Sequence, residues 1–366
     1  MGANCIIFVD ALPFEYLQFI DNGCEWATVK TSTTPGLGYS SNQHWALFAA
    51  KTPDDIGYFT DWNINPACSK NALNMYLKHT NRINPVVNFA LNKAGISKAN
   101  IPIGLKKHFI NKSIYPLSNQ TQFCGLDPIF SKFKLYKVTK PNEVNMLKHL
   151  AENGVNRNSF IVINSLDSFG HVYLNMHDKY VSFLRMLLSR IGMVVDSFIK
   201  KYGEVGTVIL LSDHGMSLVE NTISLSLEDE FGPQKPDRYL YFLDSLILRI
   251  WVFDVALRKE LEDYLLRKNF GHLLNTTERA YHGVTSKQFG DIIFILNEGY
   301  VFRPNYFGFG LRGVAHGMHG YLPDCKMQEG VLLGNFSASH IASSSDTNAM
   351  NIRNIDVLPI LKKVIS

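Results

Sequence analysis

Three aspartates in this chain come just after runs with the character of buried strands. Asp10 follows Cys5-Ile-Ile-Phe-Val9, Asp167 with His171 comes soon after Phe160-Ile-Val-Ile-Asn164, and Asp213-His214 comes after Thr207-Val-Ile-Leu-Leu211. A further cluster, His316-Gly-Met-His319, lies near the C-terminus. Carboxylates and imidazoles are the donors of divalent-metal sites: zinc takes nitrogen and oxygen ligands, and manganese accepts the same set. One such aspartate is ordinarily a helix cap or turn former, and one histidine is ordinarily a surface or core residue. His44, His108, His149 and His340 are read that way, since no acidic neighbour stands at useful spacing. The metal reading rests on repetition: strand-end aspartates, two with a histidine nearby, plus the late glycine-flanked pair.

Between the first two clusters, Thr34-Pro-Gly-Leu-Gly-Tyr-Ser40 reads as a glycine-bearing turn running into a helix. A hydroxyl in the first helical turn meets free backbone N–H groups and the positive end of the helix dipole, both suited to a phosphate. A metal beside it would lower its pKa and make it a nucleophile. Capping is the plainer role for Ser40 taken alone; Ser41 is a second candidate for the reacting hydroxyl, and Thr33 and Thr34 are weaker ones. Together these residues point to a two-metal hydrolase with a serine nucleophile. The GxGxxG match at Gly308-Phe-Gly310-Leu-Arg-Gly313 lacks a strand–turn–helix frame, so it reads as a loop leading to the histidines and not as a dinucleotide site.

Such residues need a scaffold that gathers them, and the chain supplies the pattern of one. Continuous apolar runs at 5–9, 159–164 and 206–211 predict strands covered on both faces. Helical periodicity is clearest over 177–201 and recurs over 141–152. A late strand at 330–336 and a closing helix at 355–365 extend the alternation. The expected fold is α/β, a mostly parallel central sheet with helices on both faces. Ligands of such sheets gather beyond the carboxyl ends of the strands, where the aspartates fall. Residues 95–140 read as an irregular insertion. Residues 220–310, with strand-like 246–252 and 290–296 around a charged helix at 255–267, read as a small inserted α+β cap, leaving 1–219 and 311–366 as the catalytic core.

Over 366 residues, 46% are hydrophobic and 19% charged, which supports a large core and argues against disorder. A net charge of +4 with no dense Lys/Arg block argues against nucleic acid as a partner. No apolar run is long enough to span a bilayer. The first strand candidate at Cys5 leaves no room for a secretory signal, and Ile6 stands where a myristoylation motif needs Ser or Thr. Five scattered cysteines without a CxxC pair read as free thiols. The expected location is the cytoplasm.

Taken in order, Val9-Asp10-Ala11-Leu12-Pro13, Ser40 opening a helix that leads to Pro53-Asp-Asp-Ile-Gly57, Asp167-Ser-Phe-Gly-His171, Asp213-His214-Gly215 and His319-Gly-Tyr321 make a recognisable series. It resembles the alkaline phosphatase superfamily, specifically its type I phosphodiesterase/nucleotide pyrophosphatase branch, over nearly the whole chain. The resemblance implies that Asp10, Ser40, Asp213 and His214 hold one divalent metal, and Asp167, His171 and His319 a second, with zinc foremost and manganese as the alternative. It implies in-line attack by Ser40, a covalent phosphoserine and its hydrolysis by water. The substrate would be a small phosphorylated or nucleotide-linked molecule cleaved at a phosphodiester or pyrophosphate bond. The chain departs from the pattern in three places. Ser40 replaces the commoner Thr, Ala49-Ala50 stands where Thr-Gly is common, and the phosphate-binding Asn has no clean counterpart. Asp61 lies roughly at its place, Asn63 is nearby, and Arg312 or Arg249 are further candidates for phosphate contact. The same core could serve a phosphomonoesterase or a catalytically silent binding protein. A sulfatase would need a Cys/Ser-x-Pro-x-Arg pattern that is missing, and a phosphomutase a larger cap.

Overall fold

The computed structural model describes residues 2–20, 23–65, 101–112, 115–138, 140–306, 315–341 and 352–365. Arg312, the glycine series 308–313, Cys68 and the first residues of the 95–140 stretch lie outside the described residues. The chain divides into two compact units: Met1–Thr52 with Tyr115–Leu218 and His316–Ser366, and Pro53–Ile114 with Val219–Ala315.

The first unit is built on a seven-stranded sheet. Its strands are β1 (Ala3–Val9), β2 (Val29–Thr34), β3 (Lys134–Tyr136), β4 (Asn158–Ile163), β5 (Gly206–Leu211), β6 (Gly330–Gly334) and β7 (Ile352–Arg353). They lie in the order β7-β2-β6-β5-β1-β4-β3, all parallel except β6, which is antiparallel to both neighbours. The sheet is therefore mainly parallel, but the strand expected at 330–336 runs against the rest. An apolar run reports burial of both faces and carries no information on direction. The reading of 95–140 as an insertion is also corrected: its residues 134–136 are the edge strand β3, paired with β4.

Alternation along the strands splits the core in two. Cys5, Ile7 and Val9 of β1, with Ile161, Ile163 and Leu210, face one cluster, while Ile6 and Phe8, with Phe160, Val162 and Leu211, face the other. The helices that cover them are α1 (Ser40–Ala49), α2 (Glu143–Asn153), α3 (Ser165–Tyr173), α4 (His177–Tyr202) and α5 (Asn354–Val364). Leu184, Leu187, Ile191 and Val195 of α4 and Leu147 and Leu150 of α2 pack on the first cluster. Leu47 and Phe48 of α1, with Val357 and Leu361 of α5, pack on the second. Each such side chain contributes roughly 1.5–3 kcal/mol by leaving water.

The second unit has its own antiparallel four-stranded sheet, in the order Tyr239–Leu243, Ile247–Val252, Ile292–Leu296, Gly271–Leu273, with the helix Val255–Leu266. Trp62–Ile64 pairs antiparallel with Phe109–Asn111. This unit takes in 53–114 as well as 219–315, whereas the sequence pattern set apart only 220–310. The earlier segment carries too little periodicity to announce its place. No helix among the described residues is long and apolar enough to cross a membrane.

Candidate metal centre

Asp10 is the first residue past β1, and its N–H donates to the Ile163 carbonyl at 2.9 Å. Ala11 then adopts φ 62°, a left-handed conformation that costs an alanine roughly 1–2 kcal/mol. In that conformation its N–H donates to Asp213 Oδ1 at 3.3 Å, while Leu12 N–H donates to Ser212 Oγ at 2.8 Å. The turns after β1 and β5 are thereby tied together. Asn354, opening α5, donates to the Asp213 carbonyl at 2.6 Å and to Gln43 Oε1 at 3.0 Å, adding α1 and α5 to the same frame.

His214 turns its Nδ1 to the Gly215 carbonyl at 2.8 Å. A carbonyl only accepts, so Nδ1 carries the proton and the Nε2 lone pair points into the cluster. Nε2 lies 3.5 Å from Asp10 Oδ1, 3.4 Å from Asp213 Oδ2 and 2.9 Å from Ser40 Oγ. Gly215 has to be glycine, since a Cβ there would sit 2.1 Å from the Met327 carbonyl oxygen.

Asp167 and His171 lie on α3, four residues apart and so on one helical face. His171 Nε2 is 3.2 Å from Asp167 Oδ1, and its Nδ1 is held at 2.7 Å by the Gly317 carbonyl. That approach needs Gly317, where a Cβ would come 2.6 Å from the Gly170 carbonyl oxygen. The start of α3 is fixed by buried Glu143, which accepts from Asn164 N–H at 2.9 Å and Ser165 N–H at 2.8 Å. Gly317–Met318 pairs with Ser217–Leu218, bringing His319 to this place, with Nε2 at 3.5 Å from Asp167 Oδ1. Buried Gln328 secures the pairing through Ser217 Oγ at 2.6 Å and Gly320 N–H at 2.8 Å. The His214 and His319 rings stack at 3.8 Å. Exposed His316 contributes its backbone N–H to the His171 carbonyl.

Two groups of ligand-type atoms result: Asp10, Asp213 and His214, and Asp167, His171 and His319. Ser40, the first residue of α1, presents its Oγ to the former; Ser41 is buried, and Thr33 is buried in β2 with its Oγ1 on the Ser212 carbonyl. No family model matches the chain, and no curated protein matches it in sequence. Solved structures do match. Murine ectonucleotide pyrophosphatase/phosphodiesterase 5 is 13% identical with a TM-score of 0.60, covering 99% of this chain and 95% of that one. The human counterpart is 14% identical with a TM-score of 0.61, covering 99% and 94%. An inactive variant of the murine protein in complex with AMP matches at 13% identity and a TM-score of 0.60, covering 100% and 95%. The chain shares the fold of these structures. At such identity the likeness concerns the fold, so the chemistry of this chain rests on its own residues.

Those residues fit divalent cations. Asp10 Oδ1, Asp213 Oδ2 and His319 Nδ1 are buried without a hydrogen-bond partner. Burial drives the Asp10 carboxyl well above the usual range, with the Asp213 and Asp167 charges adding to it. Burial likewise lifts Asp213 to about 7, against a partial pull from His319. His214 and His319 are both pushed down to about 4, chiefly by burial. Acceptors therefore converge, and without a cation the carboxyls must retain protons, a need that a bound cation removes. In the second group burial opposes the charges, but His171 holds Asp167 well below the usual range and Asp167 in turn raises His171. That ion pair is what a metal would displace.

His44, set aside in the sequence, lies one turn after Ser40 with Nε2 3.7 Å from Asp213 Oδ2. It is buried edge-on against Phe8, neither ring nitrogen has a hydrogen-bond partner, and burial first, then the Lys137 charge, lowers its pKa to about 3. Asp61 and Asn63 belong to the second unit, where Asp61 accepts from Tyr58 at 2.5 Å and Asn63 Oδ1 from Arg249 Nη1 at 3.3 Å. Arg249 is fully buried there, bonded also to the Trp62 carbonyl and lying over the Phe242 and Trp251 rings at 5.4 and 5.2 Å. This is the setting of a structural arginine.

Proposed function

We propose that this chain is a metal-dependent phosphodiesterase or pyrophosphatase that cleaves a phosphodiester or nucleotide-linked substrate through a phosphoserine on Ser40. The observation that carries this reading is the Ser40 hydroxyl, 2.9 Å from His214 Nε2 and beside the Asp10–Asp213–His214 group. The AMP bound by the inactive murine structure supports a nucleotide-like substrate. Asp10, Ser40, Asp213 and His214 would hold one divalent cation and Asp167, His171 and His319 the other, zinc foremost and manganese accepted. Two such cations would supply Lewis-acid stabilisation of developing negative charge and would acidify the Ser40 hydroxyl.

Ser40 Oγ would then attack the phosphorus in line: its hydroxyl proton leaves to solvent, the Oγ–P bond forms, and the P–O bond to the leaving group breaks, the leaving oxygen taking a proton from solvent. The N-terminal end of α1 favours the negative charge of the phosphoryl oxygens. Water later cleaves the phosphoserine and frees Ser40. Ala11, Gly215 and Gly317 hold the aspartates and histidines in place through their backbone groups. A reducing, cytoplasmic setting belongs to the same proposal, on the free thiols of Cys5, Cys24 and Cys124.

Purified protein supplied with Zn²⁺ or Mn²⁺ should turn over bis(p-nitrophenyl) phosphate, and Ser40→Ala should lose at least about 100-fold in kcat. Unchanged turnover in Ser40→Ala would remove the phosphoserine.

A further inference from the structure

Ser40 opens α1 without a side-chain cap: Tyr39, at the N-cap, gives the first turn no side-chain hydrogen bond. The loop 35–39 that leads to it lies outside strands and helices, and turns into α1 through Gly38 at φ 105°. Gln43, three residues after Ser40, reaches back to this loop. Its Oε1 accepts from the Gly36 N–H at 2.8 Å, and its Nε2 donates to the Gly36 carbonyl at 2.9 Å. One amide thus pairs with both backbone groups of one residue, as a hydrogen-bonded residue of a neighbouring strand would. The same Oε1 takes the Asn354 amide at 3.0 Å, and Asn354 donates also to the Asp213 carbonyl at 2.6 Å. Gln43 and Asn354 are both buried.

These bonds run from the loop ahead of the serine to the backbone of Asp213, and none of them engages a carboxylate or imidazole of the two metal groups. In a capping box the reaching side chain returns to the N-cap, and the cap in turn ties up an N–H of the first turn. Gln43 reaches past the N-cap to Gly36. It therefore anchors the entry to the helix without occupying the first-turn N–H groups, which suit a phosphate. We infer that Gln43 and Asn354 are positioning residues for the nucleophile. Their amides clamp the loop ahead of Ser40 to the turn that carries Asp213, and so fix the hydroxyl, 2.9 Å from His214 Nε2, for in-line attack. This role presupposes the hydrolase reading and assigns part of its kcat to two residues that act through Ser40. A misplacement of about 1 Å at a reacting atom can cost about 100-fold in rate.

Zinc-loaded wild type, Gln43→Met, Asn354→Ala and the double variant are compared on bis(p-nitrophenyl) phosphate. Gln43→Met keeps the length and bulk of the side chain but removes its bonds to Gly36 and Asn354, whereas Asn354→Ala removes the bridge to Asp213 alone. The kcat should fall roughly 10- to 100-fold in Gln43→Met and roughly 3- to 10-fold in Asn354→Ala. KM, and zinc affinity by calorimetric titration, should stay within about 2-fold of wild type, because uniform binding and the metal ligands are untouched. Since Asn354 acts on the loop through Gln43, the double variant should be no slower than Gln43→Met. Losses that multiply in the double variant would make the two amides independent and overturn the clamp. A wild-type kcat in Gln43→Met, or a fall in kcat matched by a fall in zinc affinity, would also overturn it and leave the hydrolase standing. Should Gln43→Met not fold, the kcat of Asn354→Ala at wild-type KM and zinc affinity decides the matter. A zinc-loaded wild type that leaves the diester intact would overturn the hydrolase reading and the positioning role with it.

Discussion

At the scale of single residues, the site is governed by where each lone pair points. Nδ1 of His214 and of His171 is fixed on a backbone carbonyl, and the free faces of both rings then meet carboxylates. His44 extends this set on the Asp213 side. His44→Phe keeps a ring against Phe8 but removes both nitrogens, so the protein should fold while metal affinity drops about 10-fold, the scale of an orienting contact to a ligand. Calorimetric titration with zinc checks this, and wild-type affinity would leave His44 a space-filler. His44 was illegible in the sequence because its partner, Asp213, lies far along the chain. Asp10, Asp213 and His214 were legible because each follows an apolar run closely. Nothing in the sequence marks Ala11 as left-handed, because alanine adopts that conformation only where tertiary contacts force it.

At the scale of elements, β1, β4 and β5 were plain from continuous Ile and Val, whereas β2, Val-Lys-Thr-Ser-Thr-Thr, was hidden by its hydroxyls and β6 by its unreadable direction. Short α3 was hidden too, because a nine-residue helix interrupted by Gly170 offers little periodicity. Its first turn depends on Glu143 at the start of α2, whose two carboxylate oxygens take two backbone N–H groups in a buried place. Glu143→Gln turns an amide N–H toward one of them. The expected cost is about 1–3 kcal/mol in urea unfolding, with weaker metal retention at Asp167 and His171. A variant as stable as wild type would mean that α3 is held by packing alone.

At the scale of the whole molecule, every proposed metal ligand falls in the first unit, and the second unit has a core of its own. Metal should therefore stabilise one unit, and by an amount that depends on pH. A buried carboxyl raised in the folded state binds more protons folded than unfolded, so its contribution falls as pH rises between the two pKa values. For Asp213, a rise from 3.8 to about 7 corresponds to roughly 4 kcal/mol lost in the metal-free protein once the pH exceeds both. Asp10 acts in the same direction. The raised pKa of His171 does so as well, because its ion pair with Asp167 is lost when His171 deprotonates. Protons supply at low pH the positive charge that cations supply at high pH. Hydrogen exchange of zinc-loaded against chelator-treated protein should thus show protection gained in Met1–Thr52, Tyr115–Leu218 and His316–Ser366, and more at about pH 8 than at about pH 6. Metal-free Asp213→Asn should be more stable than metal-free wild type at the higher pH, because the buried charge is gone, and should gain little from zinc. Equal protection in both units, or a larger gain at the lower pH, would contradict a cation bound among these buried carboxylates.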